Sequence, residues 1–365
     1  MTSNARVVFA KRPASNELPK VGEHLIIDKS RTIDLDHVPL NGGYLTKTLI
    51  LSPEPAIRER MRDPSITSYT TTLTVGGPIL GFAVVVVLRS EKEGFKVGDN
   101  LYGLTVWEEY TVQPYVEGRV NFKPEEWPPY TFDMDSLALQ VVPNPNGLYP
   151  LSKYTSIMGT PGLTAFVGME GIIEGKEGDT LFVSSGDLLM VIQLGKLKGM
   201  KVIASAGSDA KVEYMKSVGA DLAFNYKKEN YGEFLLKHGP INAFWDNVGG
   251  EALDAALESI TPYGKVAVCG TSASDVTPTS EQYKLKNAYL IMKKRIKIQG
   301  FIVPDFIPQF MGKFFETVPA LMAQGKLKSQ EIEIEGFENA PQALVDTLCS
   351  GHEKAGTLVV VVAKE

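Results

Sequence analysis

The sequence is poor in the side chains that bind transition metals or form disulfides. Its 365 residues include two cysteines and four histidines, namely Cys269, Cys349, His24, His37, His238 and His352. A catalytic zinc ion needs about three protein ligands from Cys, His or carboxylate side chains. Because the histidines are scattered singly along the chain, we predict no metal site. Two cysteines give no disulfide framework, which favours a reducing compartment.

The chain also lacks an excess of positive charge, and its first residues contain no long apolar run. The formal net charge is −6 and the isoelectric point is near 5.5, whereas a nucleic-acid-binding domain has a basic face. The first residues, MTSNARVVFAKRP, contain a run of four apolar residues before Lys11. That run is too short for a signal peptide or a spanning helix. We therefore expect a cytoplasmic protein whose partners include neither nucleic acid nor a membrane.

The pattern of the chain changes twice along its length. The first third consists of short β-rich runs separated by Pro, Gly, Asn and Asp. Strands and helices then alternate, which is typical of an open parallel sheet. The tail ends in the strand-like runs EIEIEGF and TLVVVVA. We predict an α/β protein in which residues 1–155 and 312–365 form a β-rich domain and residues 156–311 form a parallel-sheet domain.

The stretch from Thr180 to Tyr226 has the order strand, turn, helix, strand, helix. This is the order of a parallel βαβ unit that binds a dinucleotide at its first turn. The usual fingerprint of that turn has three spaced glycines, but here Gly186 stands alone after Ser185. The N–H groups at a helix N-terminus still bind phosphate without the glycines. We therefore assign Ser185 and Gly186 to the cofactor site.

The second strand of this unit indicates which dinucleotide is preferred. An acidic residue at its tip normally binds the ribose hydroxyls of NAD, but the run Val202 to Ser208 contains no carboxylate. Ser208, Lys211 and Tyr226 instead suit a 2′-phosphate, so we predict NADP(H). The alternative is that Ser208 and Asp209 only cap the helix that follows them.

Cys269 ends another predicted strand, directly before Gly270. Small residues at this position allow the backbone to approach a ligand. A buried thiol with no role in binding is an equally good interpretation of Cys269.

Several motifs spread over most of the chain carry a family resemblance. They are WEEY (107–110), MGTPGLTAF (158–166), KEGDTLFVS (176–184), KLKGMKVIASAGSDAK (196–211), GADLAFNY (219–226), FWDNVGG (244–250), GKVAVCG (264–270), RIKIQGF (295–301) and FENAPQAL (337–344). With them the chain resembles the zinc-independent medium-chain dehydrogenase/reductases of the leukotriene B4 dehydrogenase, prostaglandin reductase and alkenal double-bond reductase branch. GSDAK, FNY and DNVGG, in that order and spacing, are the specific part.

The resemblance implies a GroES-like β-rich catalytic domain and a Rossmann-type doubly wound domain. It also implies NADPH-dependent reduction of the carbon–carbon double bond of α,β-unsaturated aldehydes or ketones, with hydride to the β-carbon and a proton to the α-carbon. Similar proteins pair through the nucleotide domain, so a homodimer is expected. The positions that match the family's cofactor and substrate contacts are Lys211 and Tyr226 at the 2′-phosphate, Asn247 near the middle of the cofactor, Cys269 and Gly270 along the dinucleotide, Phe301, Ile302 and Val303 at the nicotinamide, and Tyr69 in the substrate pocket.

The sequence departs from the family pattern at the pocket and at the first turn. The loop from Ser184 to Met190 is shorter than in similar proteins, and the family's Asp-Pro-Tyr-Met reads Glu54-Pro55-Ala56-Ile57. No residue is assigned as proton donor, because the customary tyrosine after Gly270 is replaced by the run 271–275. The alternative function is therefore a relative that has lost hydride transfer and acts as a binding or non-redox protein.

Overall fold

The computed structural model describes residues 1–114, 138–144, 147–185, 189–274, 277–278, 280–349 and 356–364. The chain divides into two compact units. Unit 1 consists of Met1–Gly159, Glu331–Ser350 and Leu358–Glu365, and unit 2 of Thr160–Gln330 and Gly351–Thr357. The first boundary therefore falls four residues after the predicted position of 155. The second falls at residue 330 instead of 311, because the long helix at 307–323 packs within unit 2.

Strands and helices are numbered in chain order. The strands are β1 (Thr2–Ser3), β2 (Arg6–Phe9), β3 (Leu25–Asp28), β4 (Thr32–Ile33), β5 (Tyr44–Ser52), β6 (Leu80–Ser90), β7 (Asn100–Val106), β8 (Tyr110–Gln113), β9 (Gln140–Val141), β10 (Thr180–Ser184), β11 (Lys201–Ala206), β12 (Leu222–Asn225), β13 (Ile241–Asp246), β14 (Ile260–Val268), β15 (Lys297–Gly300), β16 (Glu331–Glu335) and β17 (Thr357–Val361). The helices are α1 (Ala56–Arg60), α2 (Thr160–Gly168), α3 (Leu189–Leu197), α4 (Asp209–Ser217), α5 (Tyr231–His238), α6 (Gly250–Ser259), α7 (Tyr289–Lys294), α8 (Ile307–Ala323) and α9 (Ala340–Leu348).

Unit 1 is organised around a seven-stranded sheet in the order β16-β17-β5-β6-β7-β9, with β8 also paired to β5. The almost continuous apolar run of β6 is buried over most of its length, which is why it lies in the middle of the sheet. Trp107 and Phe9 are fully buried in the core beneath it. β17 pairs antiparallel with β5, Val360 opposite Leu51, so the last strand of the chain shares a sheet with strands from its first hundred residues.

Unit 2 contains a six-stranded sheet in the order β12-β11-β10-β13-β14-β15. Every recorded pair in it is parallel, as between β10 and β11, where Leu181 lies opposite Val202. This is the order of the Rossmann-type doubly wound sheet, and it confirms the predicted fold class. Phe182 and Phe244 stack with ring centroids 4.8 Å apart in the core of the unit.

Local sequence explains where the helices of unit 2 begin. The Ser208 side chain accepts a hydrogen bond from the Lys211 amide and caps α4, and Asn230 caps α5 in the same way. In α8, Phe310, Phe314 and Val318 are buried at a spacing of one helical turn. Among the helices of the described ranges, none is both long and apolar enough to cross a membrane.

Candidate cofactor site

Parallel pairing brings the carboxyl ends of the unit 2 strands to one edge of the sheet. β10, β11, β13 and β14 end at Ser184, Ala206, Asp246 and Val268. The direction in which strands are added reverses at β10, which lies between β11 and β13. Open α/β sheets bind ligands outside the carboxyl ends at such a switch point. The predicted cofactor residues other than Lys211 follow these strand ends or the ends of β12 and β15.

The first turn of the βαβ unit begins at Ser185. This residue follows β10 directly and has a φ of 63°, a left-handed conformation that non-glycine residues adopt rarely. Gly186 and the next two positions lie outside the described residues. Helix α3 starts at Leu189, and the side chains of Leu189 and Met190 are buried. Of the predicted pair Ser185 and Gly186, the structure therefore describes only Ser185, which lies directly after the end of β10.

Gly207, Ser208, Lys211 and Tyr226 lie together beyond the end of β11. A Cβ atom on Gly207 would lie 2.8 Å from the Tyr226 hydroxyl oxygen, so the tyrosine reaches over the backbone only because residue 207 is glycine. The Tyr226 amide donates to the Ala206 carbonyl at 3.1 Å, which fixes the tyrosine beside the strand end. Lys211 is 6% exposed in the first turn of α4. The residues that follow β11 and β12 thus include a hydroxyl, a phenol and a buried cation, the donor set that a phosphate monoester needs.

Asn247 connects the ends of β10 and β13. Its Nδ2 donates to the Ser184 carbonyl at 2.6 Å, and its backbone N–H donates to Ser184 Oγ at 3.0 Å. Its Oδ1 accepts a hydrogen bond from Trp245 Nε1 at 3.0 Å. The predicted cofactor contact is thus also a structural tie that holds two strand ends at a fixed separation.

Asp246, which the sequence analysis left without a role, organises the turn before α6. Its Oδ1 accepts hydrogen bonds from the Val248 and Gly249 amides at 2.9 and 2.8 Å. The residue is fully buried, and that burial raises the pKa of its carboxyl group against the effect of these amides. A carboxylate followed by Asn-x-Gly-Gly at a strand end is a turn signal that the sequence does contain.

Cys269 and Gly270 lie against this turn. Both of their amides donate to the Asp246 carbonyl, at 2.8 and 3.1 Å, and a Cβ on Gly270 would lie 3.0 Å from the Asn247 carbonyl oxygen. Burial, with the nearby Asp246 carboxyl group, raises the pKa of the Cys269 thiol to about 12. The raised pKa favours the protonated, weakly nucleophilic thiol near neutral pH.

Phe301, Ile302 and Val303 follow β15. The Phe301 ring makes an edge-to-face contact with Trp245, with centroids 5.7 Å apart. A Cβ on Gly168 would lie 2.2 Å from the Trp245 ring, so this glycine is what allows the indole to fit against α2. Phe301 and Ile302 are half-buried, whereas Val303 is buried. The segment thus presents apolar surface beside Trp245, as a binding site for a flat ring requires.

Tyr69 belongs to unit 1 and lies half-buried in the loop after α1. It is close enough to the guanidinium groups of Arg60 and Arg62 to interact with them electrostatically. Arg60 is buried, and burial lowers its pKa to about 10. Glu54 is buried nearby and accepts a hydrogen bond from Ser52 Oγ at 3.0 Å. Burial raises the Glu54 pKa to about 7.

The Glu54 pKa predicts a pH-dependent stability. A carboxyl group whose pKa is about 7 in the folded protein and 4.5 in the unfolded chain stabilises the fold fully below pH 4.5, and this contribution is lost as the pH rises through about 7. The loss amounts to about 3 kcal/mol. Glu54→Gln, which keeps an acceptor for Ser52, should remove this slope when unfolding is measured by denaturant between pH 4 and 8. The exposed control Glu93→Gln should keep it, and an unchanged slope in Glu54→Gln would contradict the assignment.

Comparison with known proteins identifies the family of the chain. Residues 31–121 match the family described as N-terminal domain of oxidoreductase, and residues 189–322 match the family described as Zinc-binding dehydrogenase. An NADP(+)-dependent 2-alkenal reductase from Nicotiana tabacum is 36% identical and covers 92% of each chain. The chain belongs to the zinc-independent medium-chain dehydrogenase/reductases. Within that family it falls in the alkenal double-bond reductase branch, which confirms the resemblance drawn from its motifs.

Two further members of the family extend the comparison. A (+)-pulegone reductase from Mentha piperita is 33% identical over 89% of both chains. The structure of CurA from Vibrio vulnificus in complex with NADPH superposes with a TM-score of 0.82 and 28% identity, covering 99% of this chain and all of that one. In the described residues of the present chain, no three His, Cys, Asp or Glu side chains lie close enough to hold a metal ion.

Proposed function

We propose that this protein reduces the carbon–carbon double bond of α,β-unsaturated aldehydes or ketones with NADPH. One observation carries the proposal: over 92% of its length the chain is 36% identical to an NADP(+)-dependent 2-alkenal reductase. In this proposal Lys211, Ser208 and Tyr226 bind the 2′-phosphate of NADPH, and β11 ends without a carboxylate that would repel it.

The residues of the edge have separate roles in this proposal. Ser185 borders the pyrophosphate at the first turn, together with Gly186. Asn247, Cys269 and Gly270 border the middle of the dinucleotide, where the absence of a side chain on Gly270 leaves the backbone accessible. Phe301, Ile302 and Val303 pack against the nicotinamide, and Tyr69 is a hydroxyl of the substrate pocket. NADPH, when bound, supplies the hydride for the β-carbon of the substrate, and a proton is added at the α-carbon.

The test combines binding with turnover. NADPH binding is measured by fluorescence titration, and oxidation is then followed by the loss of the near-ultraviolet absorbance of NADPH with a simple enal such as 2-hexenal. We expect binding and oxidation of NADPH that depends on the enal. Binding without turnover across a set of enals and enones would support the non-redox alternative. No binding at millimolar NADPH would overturn the proposal.

We propose further that two copies of the chain pair through unit 2. β15 is the last strand of the six-stranded sheet, and within the described ranges it pairs only with β14. The adjacent helix α7 has the sequence YLIMKK, yet none of its residues is buried. Tyr263, Tyr289 and Met292 are 70%, 55% and 75% exposed there. A free strand edge beside exposed apolar side chains is a surface that a second copy of the same sheet would cover.

The pairing predicts a particle of twice the chain mass of 39.9 kDa in light scattering. Met292→Glu places a charge in the proposed interface and should shift the protein towards the monomer. Leu236→Glu is the matched control, because Leu236 is 61% exposed on α5, away from β15 in the strand order. A monomeric wild-type protein at micromolar concentration would contradict the proposal.

We place the protein in the cytoplasm. Cys269 and Cys349 are both free thiols, as expected in a reducing compartment. A fluorescent fusion that concentrated in an organelle would contradict this location.

A further inference from the structure

The turn after β12 contains two consecutive lysines, Lys227 and Lys228, whose side chains have different surroundings. The Asn225 side chain fixes its shape: Oδ1 accepts from the Lys227 amide at 3.1 Å, and Nδ2 donates to Asp209 Oδ1 at 2.8 Å. The Asn225 carbonyl accepts from the Lys228 amide at 2.8 Å. Asn225 itself is buried, so the turn is held from inside the unit and the two lysine side chains leave it at defined points.

Lys228 neutralises the only carboxylate of the sequence Gly207 to Lys211. Its Nζ lies 2.5 Å from Asp209 Oδ2. Together with Asn225, this ion pair lowers the pKa of Asp209. Asp209 is the first residue of α4, next to the Ser208 hydroxyl, where a free negative charge would repel a phosphate. With Lys228 in place, that charge is balanced.

Lys227 extends instead towards the strand end. Its Cε lies 3.4 Å from the position of a Cβ on Gly207, the same position that is 2.8 Å from the Tyr226 hydroxyl oxygen. The side chain is exposed, and within the described ranges its ammonium group makes no hydrogen bond or ion pair. Among the described residues, a cation without a counter-ion thus lies close to the phenol of the proposed phosphate site.

We infer that Lys227 is a further ligand of the 2′-phosphate. We infer also that Lys228 is a positioning residue, which binds the Asp209 carboxylate and so neutralises its charge next to that phosphate. This inference rests on the proposed NADPH dependence and adds two residues that determine the preference for NADPH over NADH. The two lysines have the same charge and are neighbours in sequence, but they act differently, because one binds the phosphate and the other masks a carboxylate.

The test uses fragments of the cofactor, so that it does not depend on turnover, and both fragments carry the same 5′-phosphate. Calorimetry with 2′,5′-ADP and 5′-AMP isolates the contribution of the 2′-phosphate. Lys227→Ala should weaken the binding of 2′,5′-ADP about tenfold, as for a charge-assisted contact at an exposed site, and leave the binding of 5′-AMP unchanged. The difference in 2′,5′-ADP affinity between the wild type and this variant should shrink as salt is added. Lys216→Ala, which removes a lysine paired with Glu213 at the far end of α4, is the charge control.

A double-mutant cycle tests the role of Lys228. Lys228→Ala alone should weaken the binding of 2′,5′-ADP about threefold, because it removes the counter-ion of the Asp209 carboxylate. Asp209→Asn in the same protein should restore the affinity, and additive losses would overturn the masking role. Suppose that Lys227→Ala and Lys216→Ala bind 2′,5′-ADP with the same affinity, while the wild type still prefers 2′,5′-ADP over 5′-AMP. The ligand role of Lys227 then fails, and the proposed cofactor stands. If the wild type does not prefer 2′,5′-ADP over 5′-AMP, the proposed cofactor fails as well.

Discussion

Lys211→Ala should weaken NADPH binding about 100-fold and leave NADH binding within about twofold of wild type. The lysine is almost fully buried in the first turn of α4, and its amide donates to the capping serine Ser208. Charge-assisted hydrogen bonds to a phosphate are stronger where water is excluded, so the expected loss is larger than for an exposed lysine. Parallel fluorescence titrations with the two cofactors measure it directly.

Two variants separate the charge of Lys211 from its packing. Lys211→Met keeps the unbranched apolar stem and should lose NADPH affinity as strongly as the alanine variant. Lys216→Ala lies on the same helix but is exposed, and it should bind both cofactors as the wild type does. Equal weakening of NADPH and NADH in Lys211→Ala would refute the assignment to the 2′-phosphate.

Asp246→Ala should cost about 2 to 5 kcal/mol of the stability of unit 2 and abolish cofactor binding. The carboxyl oxygen that it removes is the acceptor for two amides of the turn before α6. Those amides belong to Val248 and to the buried Gly249, and without a partner each loses its hydrogen bond in a region that water does not reach. A fall of roughly 5 to 15 °C in the melting temperature is expected for a unit of this size.

Asp246→Asn is the informative comparison. Asparagine keeps the Oδ1 acceptor, and the second carboxyl oxygen of Asp246 has no hydrogen-bond partner within the described residues. Since burial already raises the Asp246 pKa, a neutral side chain is tolerated, and the stability should stay within about 1 kcal/mol of wild type. If the asparagine and alanine variants melt at the same temperature, the role of the Oδ1 acceptor is refuted.

Most of unit 2 follows from local patterns in the sequence. The order from β10 to β12, with α3 and α4 between the strands, was predicted from apolar periodicity, and Ser208 was recognised as a helix cap from its position alone. Helix α8 begins at Ile307, three residues before Phe310, the first of its buried aromatic side chains. Its first turn contains Pro308, a residue that suits the start of a helix but lies outside the spacing of the buried aromatic side chains.

The network around Asp246 could not be predicted in the same way. Ser184 and Asn247 are 63 residues apart in sequence and meet only because β10 lies beside β13 in the sheet. The different roles of Lys227 and Lys228 depend likewise on contacts with the loop after β11. One sequence gives the identity of such residues, but the register between parallel strands, which brings them together, depends on the whole sheet.

The antiparallel pairing of β17 with β5 has a consequence for synthesis of the chain. The main part of unit 2 is continuous in sequence, whereas the sheet of unit 1 joins strands from the two ends of the chain. A growing polypeptide therefore contains all of the six-stranded sheet before β17 exists. Until β17 leaves the ribosome, the edge of β5 that pairs with Val360 has no strand to cover it. Of the two units, the one whose strands are synthesised first is thus completed after the other.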